Sequence, residues 1–141
     1  MRKTSVYFFA FLVGCANGQG ANAEIDERLV GDWIGEREKL VGCFYYSWKV
    51  NRDKEGTYRI LFYGDPKRSQ LIHSESGKWW VRQGDFYEQV EGVMKKPDIY
   101  NYRVISAEEV YFEQVSADKT GVCKGDYSFT DIRVNQHPSN N

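Results

Sequence analysis

Apolar and polar residues alternate with a period of two along most of the chain from Gly31 onward. In the segment 44–50 the even positions are aromatic or aliphatic, whereas Ser47 and Lys49 are polar. The segment 58–62 repeats this pattern after a turn-forming stretch. A period of two places the apolar side chains on one face of an extended strand, so these segments are predicted to be half-buried strands.

Turn-forming residues divide the chain into eight or nine such segments. Gly-Asp-Pro at 64–66 and Gln-Gly-Asp at 83–85 are strong examples, and Ser76-Gly77 is predicted to close a short strand at 71–73. Short strands separated in this way are typical of an antiparallel sandwich or barrel. Short hairpin connections favour the barrel, because closure removes the exposed edges of a meander. We therefore predict an all-β fold, an antiparallel up-and-down meander of eight or nine strands closed into a barrel.

Residues 1–23 have the pattern of a secretory signal peptide. Arg2 and Lys3 precede an apolar run at 6–13, and Ala-Asn-Ala at 21–23 forms a small-residue cleavage site. The apolar run is much shorter than the ~20 residues that a membrane-spanning helix needs. The protein is therefore predicted to be exported, to the periplasm or to the cell exterior.

The same residues have a second interpretation as a lipoprotein signal. Leu-Val-Gly-Cys at 12–15 resembles the bacterial lipobox, in which the cysteine is lipidated and becomes the mature N-terminus. In that case residues 1–14 are removed and a lipid on Cys15 anchors an outer-membrane lipoprotein. Both interpretations predict export, and the second predicts membrane contact only through the lipid on Cys15.

The 141 residues of the chain suit a single domain. The predicted barrel spans 31–134, after a linker or short pre-strand segment at 24–30 and before a tail at 135–141. Aromatic residues make up 16% of the chain, which argues against disorder. The 19 basic and 20 acidic residues give a net charge of -1, so no electrostatic signature of nucleic-acid binding is present.

The sequence lacks a recognisable catalytic constellation. Its two histidines, His73 and His137, lie on different segments, and no nucleophile elbow, P-loop or dinucleotide-binding motif occurs. The carboxylates considered for acid–base chemistry are Glu36, Glu38, Glu88 and Glu91. They are expected to be solvated charges on outer strand faces. We therefore predict a protein that is not an enzyme and needs no cofactor or metal.

Two cysteines remain after processing, Cys43 and Cys123, because Cys15 is either removed or lipidated. An even number of cysteines in an oxidising compartment predicts one disulfide bond between them. The alternative is a pair of buried free thiols.

Gly31-Asp32-Trp33 opens the first predicted strand, and Arg133 lies in the last. This arrangement resembles the lipocalin family, in which the tryptophan of a G-x-W motif packs at the barrel base against an arginine of the C-terminal strand. The resemblance implies a small bacterial calycin-type barrel and structural roles for Gly31, Trp33 and Arg133. We therefore expect the Arg133 guanidinium to stack on the Trp33 ring, with Asp131 as the rival partner of the arginine.

The predicted inward faces carry many aromatic residues. The predicted ligand-contacting residues are Tyr46, Trp48, Tyr58, Phe62, Tyr100, Tyr102, Phe112 and Tyr127. A barrel of this size is either filled by side chains or holds one small ligand. Because a buried tyrosine hydroxyl needs a partner, the pattern predicts a lumen with water or a small ligand, or a packed core whose tyrosine tips reach the rim.

Two classes of function follow from this pattern. The first is the binding of a small hydrophobic or aromatic ligand in the lumen. The alternative is a cell-envelope interaction module or enzyme inhibitor that contacts a protein partner through a rim surface around Trp79-Trp80, since a strand must point one of these residues outward. A cavity of ~300 Å³ or more favours the first class, and a filled barrel with an exposed aromatic patch favours the second.

Overall fold

A computed structural model of the protein describes residues 22–37, 46–116 and 128–134. The predicted lipidation of Cys15, the predicted disulfide between Cys43 and Cys123, and Tyr127 lie outside these residues. Most of the predicted signal peptide and all of the tail at 135–141 lie outside them as well.

The described residues form one short 3-10 helix, Glu27–Leu29, and eight antiparallel strands. The strands are β1 (Gly31–Glu36), β2 (Ser47–Arg52), β3 (Thr57–Tyr63), β4 (Leu71–Arg82), β5 (Asp85–Val90), β6 (Asp98–Ser106), β7 (Glu109–Ser116) and β8 (Ser128–Arg133). Each strand pairs with the next, and β8 pairs with β1. The predicted all-β, up-and-down closed barrel is therefore confirmed, with eight strands. Within the described ranges, no helix has the length and apolarity needed to cross a membrane.

The predicted hairpin at Gln-Gly-Asp is the turn between β4 and β5. Arg82 pairs with Asp85, so the turn itself has two residues, Gln83 and Gly84. Both have positive φ angles, 52° and 85°. Two central residues with positive φ match the type I′ turn, whose twist suits a tight hairpin.

The predicted strand end at Ser76-Gly77 is wrong, because β4 continues without interruption from Leu71 to Arg82. Gly77 lies where two other groups approach the β4 backbone closely. A Cβ atom at Gly77 would lie 2.0 Å from the Gln89 carbonyl oxygen and 2.9 Å from the Tyr58 ring. This glycine therefore makes room for neighbouring groups inside a strand and does not mark a turn.

The chain before β1 closes one end of the barrel, which we call the base. Glu24 and Val81 exchange two backbone hydrogen bonds of 2.8 Å, which attach this segment to β4. The 3-10 helix then buries Leu29 completely. The Trp33 indole donates a hydrogen bond to the Leu29 carbonyl oxygen at 3.0 Å, so the first strand and the helix are held together beneath the barrel.

Arg133 completes the base from β8. Its guanidinium carbon lies 4.0 Å from the centre of the Trp33 ring, and the two residues are cross-strand partners. The guanidinium also donates hydrogen bonds of 2.8 Å to the carbonyl oxygens of Arg28, Val30 and Ala107. The predicted contact between Arg133 and Trp33 is therefore present, and it joins both ends of the described barrel sequence.

Gly31 is required by the position of this arginine. Its φ angle is 129°, a conformation that side chains with a Cβ atom rarely adopt. A Cβ atom at Gly31 would also lie only 2.5 Å from Nη1 of Arg133. The glycine of the G-x-W motif therefore leaves room for the guanidinium that covers the tryptophan.

We predict that Arg133→Ala destabilises the fold by about 1–3 kcal/mol, because the substitution removes ring packing and three hydrogen bonds. Urea denaturation measures this loss. Arg103→Ala is the matched control, since Arg103 lies 5.2 Å from the Tyr111 ring on the exposed outer wall. Its expected loss is about 1 kcal/mol or less. Equal losses in the two variants would contradict the role assigned to Arg133.

Candidate functional site

The lower part of the barrel interior, or lumen, is filled by a core of buried side chains. The core residues are Leu29, Trp33, Trp48, Val50, Tyr58, Phe62, Trp79, Val81, Phe86, Tyr100, Val110 and Phe112. Aromatic rings provide most of this packing; for example, Phe112 lies 5.1 Å from Phe86 and 5.0 Å from Phe129 between ring centres. The lower lumen is therefore a packed core.

The structure brings most of the predicted ligand-contacting residues into this core. Trp48, Tyr58, Phe62, Tyr100 and Phe112 are each buried and pack against one another or against shared neighbours. These rings are covered by their neighbours, so their faces are not open to the lower lumen.

Two predicted ligand-contacting residues are only partly buried, although Tyr102 packs against the core and stacks on Phe112. Tyr102 lies near the base, where its hydroxyl donates a hydrogen bond to Oδ2 of Asp26 at 2.7 Å. Burial, together with this carboxylate, raises the pKa of Tyr102 to about 12. Tyr46 is half-buried immediately before β2. Tyr102 therefore helps to attach the 3-10 helix segment to the barrel.

A buried ion pair lies on the inner face of the barrel wall. Nη2 of Arg52 donates a hydrogen bond to Oδ2 of Asp131 at 2.7 Å, and the two side chains are 3% and 0% exposed. The Trp48 indole donates to the other oxygen, Oδ1 of Asp131, at 2.8 Å. Both oxygens of this carboxylate therefore have partners, and β2 is joined to β8 over the intervening strand β1.

Gly35 makes the contact between Trp48 and Asp131 sterically feasible. Cross-strand pairing places Gly35 between Trp48 of β2 and Asp131 of β8. A Cβ atom at Gly35 would lie between 2.2 and 2.6 Å from three atoms of the Trp48 indole. The indole therefore lies across the glycine to reach the carboxylate.

Aromatic rings enclose the cation of this pair. The Arg52 guanidinium carbon lies 5.2 Å from the ring centres of Phe86 and Phe112. The negative faces of aromatic rings attract cations, and this attraction offsets part of the cost of burying the guanidinium. Arg52 and its two phenylalanine neighbours therefore lie together in the barrel interior, where the charge of Arg52 also acts on Glu88.

Acidic side chains of β4–β6 line a further part of the lumen, which we call its upper part. Glu88 is paired across the strands with Trp79 and with Asp98, and Glu75 is paired with Ile60. Trp79 belongs to the core and Ile60 packs against it, and directly paired residues share a face of the sheet, so the three carboxyl groups point inward. All three residues are partly exposed, unlike the residues of the core.

The electrostatic environment keeps Glu88 largely protonated at neutral pH. Burial raises the pKa of Glu88 to about 8; the positive charge of Arg52 opposes this rise, and the carboxylates of Asp98, Glu75 and Asp131 add to it. Burial raises the pKa of the Tyr58 hydroxyl, and the carboxylates of Glu88, Glu75 and Asp98 add to this rise. Glu88 can therefore act as a neutral hydrogen-bond donor in the lumen.

Glu75 has a partner at the upper end of the barrel. Its Oε1 lies 3.0 Å from Nε2 of His73, whose ring stacks on Phe62 at 6.0 Å between centres. In the described part of the chain, no three His, Cys, Asp or Glu side chains are arranged to hold a metal ion.

The two adjacent tryptophans point to opposite sides of β4, as alternation requires. Trp79 is 1% exposed in the lumen, and its indole donates to the Asp53 carbonyl oxygen at 3.1 Å. Trp80 lies on the outer wall, where it is half-buried and stacks on Tyr87 at 5.4 Å between ring centres. The outward tryptophan is thus partly covered by its own neighbour.

A groove of about 410 Å³ lies on the outer wall of β1–β3. Asp32, Asn51, Arg59 and Leu61 contribute to it, and Nδ2 of Asn51 donates to Oδ1 of Asp32 at 2.7 Å. The groove lies on the opposite side of the β2–β3 sheet from Arg52.

Arg52 and Glu88 are the site residues that were missed from the sequence. Glu88 was expected on an outer strand face, and this expectation is wrong. The sequence contains a pattern that places both residues inward. Arg52 follows Trp48 and Val50 at every second position, and Glu88 follows Phe86 in the same way, so each shares a strand face with apolar residues. A charged residue at an inward position of a barrel strand indicates either a buried pair or a polar lumen.

No family model, curated protein or solved structure shows significant similarity to this chain.

We predict that Asp131→Asn destabilises the protein by about 3–5 kcal/mol, because Arg52 is left as an uncompensated buried cation. The double variant Arg52→Met/Asp131→Asn removes both charges, so its loss should be smaller than the sum of the two single losses. Urea denaturation of the two single variants and the double variant measures this coupling. Strictly additive losses would show that the two side chains do not stabilise each other.

We predict that the free energy of unfolding decreases as the pH rises from about 4.5 to about 8. The reason is that folding raises the pKa of Glu88 above its ordinary value, so ionising this group costs more in the folded state. Glu88→Gln removes this dependence and stabilises the protein on the order of 1–3 kcal/mol above pH 8. Urea denaturation across the pH range measures the effect. Glu113→Gln, on the exposed outer face of β7, is the control for net charge, and identical pH profiles for the two variants would contradict the prediction.

Proposed function

We propose that this protein is an exported, lipocalin-like barrel that binds a small aromatic or hydrophobic ligand in the upper part of its lumen. The observation that carries the proposal is the contrast between the two parts of the lumen. The lower part is a packed core, whereas Ile60, Glu75 and Glu88 point into the upper part and remain partly exposed. Inward-facing residues that stay partly exposed support a concave site of the kind that small ligands occupy.

The base supports the lipocalin-like part of the proposal. Gly31, Trp33 and Arg133 have the arrangement that the resemblance implies, with the guanidinium 4.0 Å from the tryptophan ring centre. Since the base is closed, we propose that a ligand enters the lumen from the opposite end. The amino-terminal signal pattern supports export.

The alternative function, a protein-interaction surface or enzyme inhibitor around Trp79-Trp80, has less support. Trp79 is buried in the core, and Trp80 is partly covered by Tyr87. A hot-spot tryptophan is normally available to enter a pocket of the partner. We therefore favour the small-ligand function.

Native mass spectrometry of the full chain purified from its own host tests this function. We expect a population of protein with a non-covalently bound small molecule. Ile60→Trp should fill the upper lumen and remove the bound mass. Leu61→Trp, one residue further along β3 on the outer wall, is the matched control and should retain it. A wild-type protein without any bound mass, or equal retention by both variants, would contradict binding in the lumen.

A further inference from the structure

Two hydrogen-bond donors of the buried Arg52 have no acceptor. The side chain is 3% exposed, and Nη2 is occupied by Asp131. Nε and Nη1 are buried and have no hydrogen-bond partner among the described residues. More than nine-tenths of buried polar groups in proteins have a partner, and an unmet donor is energetically costly. A buried cation with two unmet donors therefore indicates that an acceptor other than the described residues belongs here.

The neighbouring side chains do not provide this acceptor. Both oxygens of Asp131 are already bonded, one to Trp48 and one to Arg52. Phe86 and Phe112 present ring faces, which attract the cation without accepting conventional hydrogen bonds. The donors on Nε and Nη1 therefore remain unused in the described structure.

Two of the other carboxyl groups near the cation are also engaged or neutral. Glu75 is paired with His73. Glu88 is largely protonated at neutral pH, since its pKa is about 8. In this form it does not compete as an anion for Arg52, and its hydroxyl can donate to an anion in the lumen.

We propose that Arg52 is the specificity residue of the lumen and receives the carboxylate of a small organic monocarboxylate. This inference rests on the proposed function, because it assigns the charge of the ligand that the upper lumen binds. The body of the ligand packs in the upper lumen, and its carboxylate accepts hydrogen bonds from Nε or Nη1 of Arg52. Protonated Glu88 donates a further hydrogen bond to the same carboxylate.

Affinity for the carboxylate depends on pH in a defined direction. Arg52, Tyr58, Glu75, Asp98 and Asp131 are the charged or titratable groups that act on Glu88 or face it from the other strands. Below about pH 8 Glu88 is neutral and assists the anion. Above that pH its negative charge joins those of the other carboxylates, and affinity for the anion falls.

Isothermal titration calorimetry with three probes of matching shape tests the proposal. The probes are 3-phenylpropionate, 3-phenylpropionamide and 3-phenylpropylamine, which are anionic, neutral and cationic at neutral pH. We expect the carboxylate to bind roughly tenfold or more tightly than the other two, since charge-assisted hydrogen bonds are worth about 1.5–3 kcal/mol. Preference for the amide or the amine would overturn the proposal while leaving lumen binding intact. Absence of binding by all three probes would contradict the proposed function as well.

Substitutions then test whether Arg52 and Glu88 cause the preference. Arg52→Met/Asp131→Asn should bind the carboxylate and the amide equally, whereas Arg59→Met, on the exposed outer face of β3, should keep the wild-type preference. Glu88→Gln should keep the preference and lose its decline above about pH 8, and this variant provides the test if the double variant does not fold. An unchanged preference in the double variant would show that Arg52 does not receive the carboxylate, and an unchanged pH profile in Glu88→Gln would show that Glu88 does not donate to it; either result overturns the proposal.

Discussion

The ion pair between Arg52 and Asp131 is the interaction on which the interior of this barrel depends. Removing two charges from water is costly, and the attraction between them compensates only when the remaining bonding positions are satisfied. Asp131 meets this condition, because Trp48 and Arg52 each bond one of its oxygens. Arg52 meets it only in part, since two of its nitrogen atoms face no acceptor. The hydrogen-bonding positions of the carboxylate are therefore occupied, whereas those of the guanidinium are occupied only in part.

Several local features of the sequence follow from this pair. Gly35 lacks a side chain where the Trp48 indole lies across β1 to reach Asp131. Phe86 and Phe112 place their rings against the guanidinium. At the base, the second arginine, Arg133, also lies against an aromatic ring, that of Trp33. Its nitrogen atoms donate to backbone carbonyl oxygens and not to a carboxylate. The contrast between the two arginines is that each side-chain nitrogen of Arg133 has an acceptor, whereas Nε and Nη1 of Arg52 have none among the described residues.

The fold was largely predictable from the sequence, and the site was predictable only in part. Alternation and turn residues predict the barrel, and the parity of Arg133 predicts its position beside Trp33. The same parity rule, applied to Arg52, would have placed that residue in the lumen. The pairing of Arg52 with Asp131 was not predictable, because it depends on the register with which β8 closes onto β1. Gly77 misled the prediction because a glycine that admits a neighbouring ring and carbonyl has the same sequence signature as one in a turn.

The central claim is that Arg52 lies enclosed beside Asp131 in the barrel interior, and NMR of arginine side chains tests it most directly. Enclosed N–H groups exchange slowly with water, because exchange requires the structure to open. The Nε–H signal of Arg52, assigned by its loss in Arg52→Lys, should persist in hydrogen-exchange experiments under conditions in which the Nε–H signal of the exposed Arg59 is lost. An Arg52 signal that exchanges as rapidly as that of Arg59 would contradict the account.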